Sequence, residues 1–287
     1  MVESIVEKMK GILSMQLLGS ILNFFESTMQ TPTVYGWFHI LFVLLVSVAT
    51  VLICVKYKNC DEKTFRRMIF VLWLVMVVLE IYKQLVYTFS FEDGVMSSDY
   101  QWYAFPFQLC STPIFALPFV IFLKDGPVRE AFISYSALFA FFGGFVVFIY
   151  PGDVFVSTIG INIQSMVHHG IQIVSGIFLV VHRRRAFNFK FLIKGLYVFC
   201  GFIVAAMLMN VAVYHAFVAA GIDETFNMFY ISPYFDCTLP LLSLIYPRVP
   251  YALFFVIYTL GFFLAALVIY LVERAIIRAV EKRYAKG

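Results

Sequence analysis

Seven apolar runs, each long enough to cross a lipid bilayer, divide this chain of 287 residues. A bilayer core takes about 20 apolar residues of helix. Residues 34–57, 68–89, 104–123, 129–150, 160–182, 190–217 and 249–273 supply that length. Only 13% of the residues are charged, against about a quarter in soluble domains, so the chain belongs to the membrane class. The expected fold is an all-α polytopic membrane protein: a seven-transmembrane helix bundle with an N-terminal amphipathic helix.

Residues 1–31 lack the basic front and the cleavage site of a signal peptide, because Glu3 and Glu7 precede the first lysines. They read as a retained interfacial amphipathic helix. Residues 32–287 form the transmembrane domain, with 218–250 as a re-entrant or lid segment on the outer side. Of the 21 basic residues, 17 fall after spans 1, 3, 5 and 7, the exceptions being Lys8, Lys10, Lys83 and Arg248. Positive residues stay inside, so the N-terminus is expected outside and the C-terminus in the cytoplasm. That topology accounts for the net charge of +4 without nucleic acid. The five cysteines form no CxxC pair, which argues against a disulfide framework or a zinc knuckle.

Ionisable and amide groups within a membrane are costly and single themselves out. Here they are His39, Glu80, Lys83, Gln108, Cys110, His168, His169 and Asn210. Read as a helix entered from outside near Ala104, span 3 places Cys110 about 9 Å deep, and His168 lies at about 12 Å in span 5. With His39 in span 1, these side chains form one layer in the outer half of the bilayer. Pro106 and Pro113 flank Cys110 and loosen its helix. Glu80 and Lys83, three apart, suit a structural ion pair. Asn210 suits a bond between helices, and His215 lies close to the outer surface. Adjacent His168 and His169 point about 100° apart, which suggests one working histidine and one supporting it. Asn227, Tyr230, Asp236 and Cys237 lie in the outer segment expected to close over the layer.

A thiol beside an imidazole supports acyl transfer, because the imidazole takes the proton and the thiolate attacks an ester carbonyl. An amide such as Gln108 or Asn210 could donate to the oxyanion. Zinc is the competing chemistry. No HxxxH or HExxH pair sets two imidazoles on one helical face, so no metal and no cofactor is expected.

WFHILF in span 1, LEIYKQLVYTF in span 2, FPFQLC in span 3, QSMVHHG in span 5 and TFNMFYISP before span 7 together resemble the YwaF-type bacterial integral membrane proteins. More distantly, they resemble the animal transmembrane protein 164 family. The bacterial pattern often carries His where Gln108 stands. The resemblance implies a phospholipid acyltransferase in a bacterial plasma membrane, with Cys110 as nucleophile and His168 as its best-matching histidine. His169 remains open. Phospholipids or lysophospholipids would be its substrates, and Glu80, His39, Gln108, His169, Asn210 and Asn227 would support the site. Lipid acyl hydrolysis, with water as acceptor, is an alternative, as is a small-molecule or lipid binding or transport protein using the same layer. A seven-span receptor ranks last.

Overall fold

A computed structural model describes residues 16–17, 19–21, 23–24, 26–92 and 95–284. Residues 1–15, which carry much of the expected interfacial helix, lie outside it. The main helices are α1 (Trp37–Tyr57), α2 (Glu62–Val86), α3 (Pro113–Phe122), α4 (Pro127–Ile149), α5 (Ile159–His182), α6 (Phe189–Ala220) and α7 (Tyr251–Tyr284). Backbone groups in hydrocarbon must pair within their own segment, which selects helices for such apolar runs. An antiparallel hairpin, β1 (Phe89–Glu92) with β2 (Val95–Ser98), follows α2 and pairs Phe89 with Ser98.

Six of the helices are long and apolar enough to cross a membrane; α3 is not. The expected third span is a helix of only 10 residues, preceded by a 3-10 turn at Trp102–Ala104 and irregular chain. Cys110 lies in that irregular chain, so counting its depth along a helix does not hold. The broken segment still runs the length of α2. At one end Gln84 donates to Ala104 O at 2.9 Å, and at the other Arg66 donates to Ile121 O and Leu123 O at 2.6 and 2.7 Å. Proline is the physical cause of the irregularity. Pro118 inside α3 removes the donor that Ile114 O would use, and the Trp73 indole donates there instead, at 2.8 Å.

The basic connections after α1, α3 and α5 meet at one end of the bundle. Arg184 donates to Lys58 O and Asn59, at 3.1 and 2.6 Å. Arg129, fully buried, reaches Glu62 at 2.5 Å, Asp125, and Val120 O at 2.7 Å.

Helix α5 is the centre of the fold. Its apolar window is 78% buried, against 17% in α1, α2 and α7, so its polar side chains face protein rather than lipid. Glycines permit the close packing. A Cβ on Gly144 of α4 would lie 2.8 Å from His169 O and 2.7 Å from Gln172 Cβ, and one on Gly170 would lie 2.5 Å from Val46 of α1. Midway along α4, Ser136–Ala140 form a π-helical turn, fully buried; such turns recur at functional sites.

Between α6 and α7 the chain is irregular, with a 3-10 turn at Met228–Tyr230 and one helical turn at Leu242–Ile245. Phe226, Met228, Phe229, Ile231 and Cys237 of this connection are buried in the main core.

Candidate functional site

Pro113 shapes the site. Having no N–H, it cannot pair with Leu109 O in an α-helix or with Cys110 O in a tighter turn, and Ile114 N–H goes instead to Ser111 O at 3.1 Å. Two backbone acceptors are therefore free within the protein, where an unpaired carbonyl is costly. The Thr112 hydroxyl takes the first, at 2.6 Å, while also bonding the Tyr135 phenol. Two side chains of α5 take the second: His168 Nε2 at 3.0 Å and Gln172 Nε2 at 2.7 Å, both on Cys110 O.

These bonds fix the protons. A carbonyl only accepts, so His168 carries its hydrogen on Nε2, and neutral imidazole then leaves Nδ1 as a lone-pair acceptor. That Nδ1 is buried and makes no hydrogen bond among the described residues. His169 is fixed in the opposite sense. Its Nδ1 donates to Ser165 O of its own helix at 2.7 Å, and its buried Nε2 is unpartnered among the described residues. The two rings lie edge to face at 5.6 Å.

Glu80 and Lys83 form an ion pair at 2.8 Å, and Gln84 donates to the same carboxylate oxygen at 2.7 Å. The other oxygen, Glu80 Oε2, has no hydrogen bond among the described residues. The pair lies close enough to act electrostatically on the Cys110 thiol, and Lys83 also acts on both histidines.

Gln108, Asn210 and Asn227 serve another element. The Gln108 amide donates to Asn227 O at 2.9 Å and accepts from Phe229 N–H at 2.7 Å. Asn210 brackets Met228 in the same two-way fashion, at 3.0 and 2.7 Å. Asn227 accepts from Ser232 N–H and donates to Asp236 O. The loop they hold contains two consecutive residues in the left-handed region, Phe229 at φ 57° and Tyr230 at φ 56°. Such backbone persists only where its surroundings over-determine it. The loop sets the Tyr230 phenol within electrostatic reach of the Cys110 thiol.

His39 lies apart from these contacts. Tyr35 N–H donates to its Nδ1 at 3.0 Å, and its Nε2 donates to Phe148 O at 2.8 Å, so both ring nitrogens are engaged with backbone. Among the described residues no group of three or more His, Cys, Asp or Glu could hold a metal ion.

Gln172 is the site residue that sequence reasoning missed. Its signal was present, since it stands four residues after His168 and thus on the same helical face.

Fold and site together define a polytopic helical membrane protein with a Cys–His–Gln cluster at its central helix, in which His168 and Gln172 are buried and Cys110 is half-buried. A family model described as the TMEM164 family matches residues 34–272, and the chain belongs to that family. No curated protein and no solved structure matches it.

Proposed function

We propose that this protein moves a fatty acyl chain between membrane lipids through a thioester on Cys110, with His168 as the proton carrier. The observation that carries the reading is the bond from His168 Nε2 to Cys110 O, which puts a hydrogen on Nε2 and holds an unpartnered Nδ1 beside the residue bearing the thiol. The sulfur is four bonds from its own carbonyl oxygen, so it lies within ~8 Å of His168 Nε2 whatever its rotamer. Proton transfer requires the thiol to reach the free lone pair on Nδ1 by side-chain rotation, since catalytic contacts are often looser in apo sites.

In the first half-reaction the imidazole takes the thiol proton, and sulfur attacks the ester carbonyl carbon of a phospholipid. The carbon–oxygen bond breaks, the imidazolium returns its proton to the departing lysolipid alkoxide, and the acyl chain remains on sulfur. In the second, the hydroxyl of an acceptor lipid gives its proton to the imidazole and attacks the thioester. The carbon–sulfur bond breaks, and the thiolate recovers the proton. Lys83, held by Glu80 at 2.8 Å, lies within electrostatic reach of the Cys110 thiol. No cofactor enters this cycle.

Incubation of the purified protein with a phospholipid radiolabelled in one acyl chain should give a hydroxylamine-sensitive adduct on Cys110. Cys110→Ala should abolish both the adduct and transfer to an added lysolipid, and full turnover by that variant would overturn the proposal. Release of free fatty acid without any transfer would replace the acceptor lipid by water and keep the thioester.

A further inference from the structure

We infer that the Tyr230 phenol is the oxyanion donor of the Cys110 site, giving its hydrogen bond to the carbonyl oxygen of the acyl group while sulfur is bound to the carbonyl carbon. This role rests on the acyl-transfer reading and adds a residue to it. Addition of sulfur to an ester carbon moves the carbonyl π pair onto oxygen, so a donor must stand where that charge forms. The other side-chain donors around Cys110 are engaged elsewhere. Gln108 and Asn210, the amides expected to serve an oxyanion, direct their N–H groups to Asn227 O and Met228 O at 2.9 and 3.0 Å. Gln172 and His168 hold Cys110 O. The Thr112 hydroxyl and the Tyr135 phenol bond each other, and the Ser111 hydroxyl turns to the Cys110 sulfur itself.

Tyr230 differs from all of these. It is half-buried, and its hydroxyl makes no hydrogen bond among the described residues, although a phenol inside a protein ordinarily finds a partner. Its oxygen lies within electrostatic reach of the Cys110 thiol, with Asp153 and Cys237 as its other ionisable neighbours. Phenol and sulfur do not bond each other directly, as befits a donor to an oxygen two bonds away from sulfur.

The backbone holds this arrangement at a cost. Phe229 and Tyr230 both take the left-handed conformation, which bulky residues rarely adopt and which clusters at functional sites. The tethers that enforce it grip main chain on both sides of Tyr230. Phe229 N–H donates to the Gln108 amide at 2.7 Å, the Tyr258 hydroxyl donates to Phe229 O at 2.8 Å, and the Tyr251 hydroxyl donates to Ile231 O. Gln108 stands two residues before Cys110, so one amide fixes the loop against the segment that bears the thiol. The strain is carried by the loop while the Tyr230 hydroxyl stays uncommitted. A donor fixed in advance needs no reorganisation as charge develops.

The test measures Cys110 acylation and the binding of a long-chain alkyl trifluoromethyl ketone by the full chain in nanodiscs. The Cys110 sulfur adds to that ketone, its proton passes to His168, and the carbonyl pair becomes an oxyanion with no group to expel. Tyr230→Phe removes the hydroxyl and keeps the ring. At saturating phospholipid it should slow acylation by at least about tenfold, the effect of one hydrogen bond to a charged acceptor, and leave the half-saturating concentration unchanged. It should weaken the ketone by a similar factor and leave the corresponding secondary alcohol, which cannot add sulfur, bound as before. A purely structural role would move ketone and alcohol together. Should Tyr230→Phe fail to fold, a ring-fluorinated tyrosine at position 230, a stronger donor of nearly the same shape, should tighten the ketone relative to the alcohol, and an unchanged ratio overturns the inference. Parent-like acylation by Tyr230→Phe, equal losses of ketone and alcohol, or a loss confined to Ser111→Ala overturns it and leaves the thioester standing. Absence of any adduct on Cys110 of the parent overturns the acyl-transfer reading and the role of Tyr230 with it.

Discussion

His168 Nε2 and Gln172 Nε2 converge on the carbonyl oxygen of Cys110, at 3.0 and 2.7 Å, one helical turn apart on α5. The pair takes the place of Ile114 N–H, which at the Pro113 break turns to Ser111 O instead of Cys110 O. Gln172→Ala should therefore cost about 1 kcal/mol of stability, one neutral hydrogen bond, and lower the rate of thioester formation while His168 remains. Gln172→Glu sets an ionised acceptor against an acceptor and should cost more. Thermal unfolding in detergent and mass spectrometry of acylated Cys110 check both. Equal stability of the two variants would show that the second donor does not hold this carbonyl.

Pro113→Ala restores an N–H at the position that frees Leu109 O and Cys110 O. The chain before α3 should extend the helix backwards, engaging Leu109 O and drawing Cys110 away from α5. Stability should change by no more than about 1 kcal/mol, whereas acylation of Cys110 should fall by at least about tenfold, one misplaced nucleophile's worth of alignment. Hydrogen exchange at residues 109–116 reports the added helix. Unchanged exchange with full acylation would mean that the proline does not shape the site.

The helices were legible because a bilayer imposes one length and one hydropathy on every span, and residues 160–182 correspond to α5 (Ile159–His182). The third segment was not, since its residues are as apolar as the others. Only Pro106, Pro113 and Pro118 distinguish it, and proline is tolerated in membrane helices. Cys110 and His168 stood out in the sequence by chemical type, and the fold brings them together through a backbone carbonyl. Gln108, Asn210 and Asn227 stood out equally, but their amides meet the backbone of residues 227–236. Side-chain identity signals that a polar group needs a partner, whereas the partner here is main chain, which is invisible to residue type.

Helix α5 approaches α4 through Gly144, and a methyl there would meet Gln172 Cβ at 2.7 Å and His169 O at 2.8 Å. Gly144→Ala should destabilise by about 1–3 kcal/mol through overpacking and displace the Gln172 amide from Cys110. Gly201 of α6 has nothing within 4 Å of an added Cβ, so Gly201→Ala is the control and should be neutral or slightly stabilising. Paired melting curves in one detergent decide the matter; equal melting temperatures would contradict the close contact.

Asp125 lies in the connection between α3 and α4. Burial raises its carboxyl, but the Arg129 hydrogen bond and the charges of Arg129, Arg183 and Arg66 outweigh it and hold the group below the usual carboxylate range. A depressed folded value stabilises above the unfolded value of ~3.9 and loses that contribution as pH falls through the folded one. Asp125→Asn should therefore be less stable than the parent at neutral pH, with the gap closing in acid. The side chain is 70% exposed, so the gap should be below about 1 kcal/mol. Melting temperatures from pH 7 downwards test the sign, and a gap that widens in acid would contradict it.

The gathered basic connections predict an orientation. Lys58, Arg66, Arg129, Arg183 and Arg184 meet at one end, and the β1–β2 hairpin follows α2 at its far end. Cytoplasmic loops carry the excess of Lys and Arg, so the end bearing Lys124 should face the cytoplasm and Val95 of the hairpin, 67% exposed, should face outward. In a variant whose native cysteines are replaced by serine, Val95→Cys should react with a membrane-impermeant maleimide on intact cells. Lys124→Cys should react only after the membrane is opened. The reverse pattern would invert the topology and put the hairpin end of α2 on the cytoplasmic side.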